Sequence, residues 1–182
     1  MLCLFEGVAT GAADGYGRMT KRPAATLLHL GPGLANGIAN LHNARRADTP
    51  VVNIVGDHAT SHKHLDSLLE SDIGALAGTV SSWVRSAATT KALGSDTAAA
   101  VAASLTPVEG AEGVRQDPHR TGTSGSVSTL IVPADLSWSS GGRPARPVEI
   151  SALSLRLTSM CVPLRLCCDP GNRACCCWTA ER

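Results

Sequence analysis

Aromatic side chains are scarce: three Trp, one Tyr and one Phe amount to 3% of the 182 residues. A core filled with large rings is therefore excluded, and the 18 glycines with abundant alanine point to close backbone packing against strands or a ligand. Long apolar runs are missing too. No stretch approaches the roughly 20 apolar residues that a spanning helix needs, and Glu6 interrupts a short apolar start with no basic segment before it. No membrane association is expected. An excess of charge of one sign is also lacking, since 16 basic and 15 acidic residues leave a formal net charge of +1. Broad attraction to nucleic acid is thereby excluded, and a small-molecule partner is expected. Cysteine is nearly absent from the body of the chain, where Cys3 stands alone; the other six of seven lie between Cys161 and Cys177. The body has no disulfide framework and suits a cytoplasmic or organellar setting.

What is present reads as one α/β domain followed by a tail. Three short, non-alternating apolar runs, Ala24 to His29, Pro50 to Val55 and Ser128 to Val132, have the pattern of strands buried on both faces of a parallel sheet. Helical stretches are expected at Gly7 to Met19, Leu34 to Ala47, Leu65 to Ala77 and Asp96 to Leu105. Alternation of strand and helix predicts a doubly wound, mostly parallel α/β fold over residues 1–138. Residues 107–126, rich in Gly, Pro, Ser and charge, read as an insertion or loop. Residues 139–182 read as a linker and a Cys-rich tail of low order, whose cysteines lack paired CxxC steps at zinc-finger spacing. No metal site is assigned there.

In open parallel sheets, ligands sit outside the carboxyl ends of the strands, so the residues after each run are the first candidates. Glu6 heads a helix and is followed by Gly7, Val8 and Ala9, which suits either a functional acid or an ordinary dipole-stabilised helix start. Gly31, Pro32 and Gly33 follow the second run, with Gly37 further on. That glycine spacing fits neither the dinucleotide fingerprint nor the phosphate loop, and it reads as a tight turn, with or without a ligand against its backbone. His58, after Gly56-Asp57, is a candidate for contacting substrate; with His62 and His64 it forms either a solvated loop or imidazoles on one helical face. The three strand ends are expected to line one crevice.

Taken together, "FEGVATGAADGYGRMTKRPAATLLHLGPGLANGIANLHNARRADTPVVNIVGDHA" resembles the pyrimidine-binding domain of the acetolactate synthase and benzoylformate decarboxylase group of thiamine-diphosphate enzymes. The resemblance covers about residues 1–106 and resumes at "VSTLIVPADLSWS". It rests on an acid before an Ala-rich helix, a GPG step, an Asn three residues on, and a strand ending in Gly-Asp.

The resemblance implies that Glu6 is the cofactor-activating glutamate, hydrogen-bonded to the pyrimidine ring and favoured in its protonated form by burial. It implies that Gly31, Pro32, Gly33 and Asn36 lie against the cofactor, and that His58 faces substrate. It further implies a 2-oxo acid lyase or transferase activity using thiamine diphosphate. The magnesium of that cofactor would be held in a separate diphosphate domain by a GDG motif and a later Asn-Asn, and the chain contains neither. On this reading the domain is incomplete at its N-terminus, lacking a strand and helix before Glu6, and inactive as an isolated chain. It would work beside a diphosphate-binding domain or subunit in a homo- or hetero-oligomer. The alternative is a non-catalytic pyrimidine-domain partner of such a subunit.

Overall fold

The computed structural model describes residues 1–106 and 125–148. The expected insertion, apart from its last two residues, and the Cys-rich tail from residue 149 lie outside the described residues. Along the chain run α1 (Glu6–Thr20), β1 (Ala24–His29), α2 (Leu30–Arg46), β2 (Val51–Asp57), α3 (Ile73–Gly78), β3 (Trp83–Ser86), α4 (Leu93–Ser104), β4 (Val127–Pro133) and α5 (Ala134–Trp138). The strands form one parallel sheet in the order β1-β2-β4-β3.

Successive residues of the central strands feed two cores, because side chains alternate across a strand. Val51, Val55, Val127 and Ile131 join Leu34, Leu41 and Ala44 of α2 and Ile73 and Ala77 of α3 on one face. Val52, Leu130 and Val132 meet Ala100 of α4, with Leu93 and Leu136 alongside, on the other. Helices thus cover both faces of β2 and β4, as the continuous apolar runs predict.

β1 departs from that expectation. Its inward residues Thr26 and Leu28 are buried, while Ala25, Leu27 and His29 face outward, with Leu27 78% exposed. Among the described residues β1 pairs with β2 alone, so it is an edge strand covered on one face. Two further departures follow from local backbone chemistry. The helix expected over Leu65 to Ala77 is reduced to a 3-10 turn at Lys63–Leu65 and the short α3. Asp66 and Leu69 adopt left-handed φ values of 47° and 72°, which no continuous right-handed helix accommodates, and Asp72 restarts the helix by accepting from the Ala75 N–H. The strand β3, only four residues long, had no run of its own in the sequence; it adds to the sheet by pairing with β4.

A polar ladder crosses the sheet from β1 to β4. Asn53 is fully buried; its Oδ1 accepts from the Thr26 hydroxyl at 2.8 Å, and its Nδ2 donates to Thr129 Oγ1 at 3.2 Å. One side chain therefore ties β1 to β2 and β4.

Candidate functional site

Glu6 occupies the first turn of α1, where a carboxylate complements the unpaired helix N–H groups. The partner helix α2 begins at the carboxyl end of β1. Its chain reversal falls on Leu30, a buried leucine at φ 56°, and not on a glycine. Gly31, Pro32 and Gly33 accordingly form the first helical turn and not the separate tight turn expected from the sequence. Pro32 is tolerated there because its missing N–H would have no helical acceptor.

The glycines of this turn serve close approach. A Cβ at Gly33 would stand 3.3 Å from Glu6 Oε1 and 3.5 Å from His29 Cβ, and a Cβ at Gly31 would collide with the Ser71 hydroxyl. One helical turn later, Asn36 Nδ2 donates to Glu6 Oε2 at 3.0 Å. Glu6, Gly33 and Asn36 are therefore brought together by the packing of α1 on α2. Gly31 is buried beside them, and Pro32 and Asn36 face outward.

With its outward side open, the Glu6 carboxyl is held below its ordinary value of 4.5 by the Asn36 amide, helped by the backbone N–H of Glu6 and by His29. Glu6 is only half-buried, so desolvation is too weak to outweigh these donors. At neutral pH it is a carboxylate.

An open groove of about 540 Å³ adjoins Glu6, lined among others by Phe5, Ala9, Tyr16, Leu27 and His29. It follows the outer edge of β1 rather than crossing to the end of β2, so neither the GPG step nor His58 borders it.

His58 belongs to a separate cluster at the end of β2. The Asp57 carboxylate is buried and accepts from the His58 N–H at 2.8 Å and from Lys63 Nζ at 2.7 Å, and Lys63 also reaches Glu70 at 3.1 Å. Despite the desolvation that opposes it, this pair of carboxylates raises the Lys63 pKa. His58 Nε2 is buried with no hydrogen-bond partner among the described residues. His62 and His64 are exposed, in a turn and the following 3-10 turn, and the described residues contain no group of three metal-binding side chains.

Sequence reasoning passed over Asn40, whose Nδ2 donates to the Gly7 carbonyl at 2.6 Å. Its spacing of four from Asn36 was the available signal, since residues four apart share a helix face. Thr10, Lys63 and Glu70 were also overlooked; none carries a local pattern that marks it.

A parallel sheet with an acid-headed helix packed against a helix that opens Leu-Gly-Pro-Gly defines an α/β domain, and comparison with known proteins shows what it is similar to. Residues 1–79 match the family described as "Thiamine pyrophosphate enzyme, N-terminal TPP binding domain". Over these residues the chain is similar to the N-terminal domain of thiamine pyrophosphate enzymes.

Among curated proteins, "Putative acetolactate synthase large subunit IlvX" of Mycobacterium tuberculosis is 56% identical over 152 residues, covering 84% of this chain and 26% of that protein. Benzoylformate decarboxylase of Pseudomonas aeruginosa is 33% identical over 84 residues, 46% of this chain and 16% of the relative. The solved structure of the Rhodococcus jostii thiamine diphosphate-dependent 4-hydroxybenzoylformate decarboxylase shares the fold, with a TM-score of 0.66 at 22% identity over 80% of this chain and 26% of the other. The chain spans about a quarter or less of the length of these relatives. No helix among the described residues is long and apolar enough to cross a membrane.

Proposed function

We propose that this chain supplies the pyrimidine half of a thiamine diphosphate site in an acetolactate-synthase-like lyase or transferase acting on 2-oxo acids. The observation that carries this reading is the Glu6 carboxylate, fixed by Asn36 and approached by the bare backbone of Gly33. The chemistry fits the cofactor: a carboxyl group can share a proton with a ring nitrogen, and the bare backbone of Gly33 lets α2 come close against that carboxyl. Glu6 is the residue with the catalytic role, with Gly31, Pro32, Gly33 and Asn36 shaping the surface for the ring. When bound, thiamine diphosphate supplies a nucleophilic thiazolium carbon for attack on a 2-oxo carbonyl.

To bond a ring nitrogen, Glu6 would share a proton with it; covering the outward side of the carboxyl would remove water and raise its pKa toward that protonated form. His58, with a buried and unpartnered Nε2, is assigned to the substrate side.

The outward-facing Pro32 and Asn36 and half-buried Glu6 favour a second wall from outside these residues. In this proposal a diphosphate-binding domain or subunit provides that wall and the magnesium. The isolated chain is then inactive, and sustained pyruvate consumption by it would refute the point. If the wall belongs to a separate chain, this one acts as a non-catalytic partner.

Calorimetric titration with thiamine diphosphate and magnesium, with and without the matching diphosphate-domain chain, tests the assignment. Binding in the presence of that chain, lost in Glu6→Gln, supports it; equal binding by both versions removes Glu6 from the cofactor.

A further inference from the structure

Among the described residues two hydrogen bonds join a side chain of one of these helices to the main chain of the other: Arg18 to the Asn43 carbonyl at their far ends, and Asn40 to the Gly7 carbonyl beside Glu6. Asn36, itself exposed, and Asn40, one turn further on, lie along one edge of α2 from which both side chains reach the first turn of α1. Asn36 takes the Glu6 side chain, at 3.0 Å, and Asn40 takes the carbonyl of the next residue, Gly7, at 2.6 Å. We propose that Asn40 is a positioning residue for Glu6, locking the first turn of α1 to α2 so that the carboxyl meets Asn36.

The surrounding residues support this role. Thr10 also donates to the carbonyls of Glu6, at 2.9 Å, and Gly7, at 3.3 Å, but it belongs to α1 and cannot set one helix against the other. A Cβ at Gly11 would come within 3.3 Å of Asn40 Nδ2, and one at Gly37 within 2.7 Å of Thr10 Cγ2. The helices therefore approach through small residues, and this close seam brings a short amide within reach of a backbone carbonyl. An apolar side chain at 40 would fill the same seam without fixing the turn along it, because packing is non-directional whereas a hydrogen bond is not.

This inference rests on the reading that Glu6 serves the cofactor, but its test does not need the cofactor. Carboxyl carbon NMR follows the titration of Glu6 in the full chain, in Asn40→Ala, in Asn36→Ala and in the double variant. Asn40→Ala is expected to move the Glu6 titration upward toward the ordinary glutamate range, because the amide that depresses it is no longer held in place. In the Asn36→Ala background the same change is expected to move it no further. An unchanged titration in Asn40→Ala, or equal displacement in both backgrounds, would overturn the proposal and leave Asn40 as a helix contact only.

If Asn40→Ala fails to fold, Asn40→Ser keeps a donor of shorter reach. It is expected to displace the titration upward only when Asn36 is present, and no displacement again overturns the proposal. A cofactor assignment that fails in the calorimetry leaves these titrations readable, so the two failures are distinguishable.

Discussion

Asn53 stands in a run of valines and isoleucine, yet it is buried at the centre of the sheet and bonded on both sides. A buried amide is tolerated only when its hydrogen bonds are made, and deleting it leaves the hydroxyls of Thr26 and Thr129 without it. Asn53→Ala is expected to cost about 2–4 kcal/mol, from two lost hydrogen bonds and the cavity, as read by urea unfolding. Glu6 is the opposite case, held at the open end of the domain. Its candidacy was legible because the acid, the GPG step and the following Asn form a combination that resembles a known family. Its protonation state was not legible, since it depends on how Asn36, thirty residues away, meets it across two helices.

The α1–α2 crossing is the element on which the site depends. Gly37 faces Thr10 so closely that a branched side chain must push the helices apart. Gly37→Val is expected to destabilise the chain by about 1–3 kcal/mol, the usual cost of overpacking, and to raise the Glu6 titration by separating it from Asn36. Thermal unfolding and carboxyl NMR check the two effects. The edge strand β1 carries a different liability. Its outward face exposes Leu27, and an unpaired strand edge invites association with another. Leu27→Lys is expected to reduce self-association in sedimentation velocity while changing stability by less than about 0.5 kcal/mol, as for other surface substitutions. The apolar run of β1 looked no different from those of β2 and β4; which strand sits at the edge is a property of sheet order.

Acid stability is a property of the whole molecule, summed over its carboxylates. Glu6 is depressed chiefly by the Asn36 amide, and Asp135 chiefly by the Thr60 hydroxyl and then the Thr60 N–H. A group depressed in the folded state stabilises the fold above its unfolded pKa, and that contribution disappears as pH falls through the folded value. The unfolding free energy is therefore expected to decline as pH drops below about 4.5 and then 3.8, the ordinary values of these two groups. Asn36→Ala flattens the first part of that decline, and urea unfolding at a series of pH values measures it. The short buried runs and helical periodicities were sufficient to determine a parallel α/β domain, because burial on both faces and amphipathic packing leave local patterns. They also placed β1, β2, β4, α1, α2 and α4. The four-residue β3 and the broken stretch before α3 left no such pattern, since pairing with β4 and the left-handed residues Asp66 and Leu69 are set by neighbours. By itself the sequence determined the kind of domain and singled out the acid that heads its first helix. Tertiary structure alone decided that Leu30 makes the reversal, that Asn36 and Asn40 bond to the first turn of α1, and that the Glu6 carboxyl is held below its ordinary pKa, because each depends on how residues distant in the chain pack against one another.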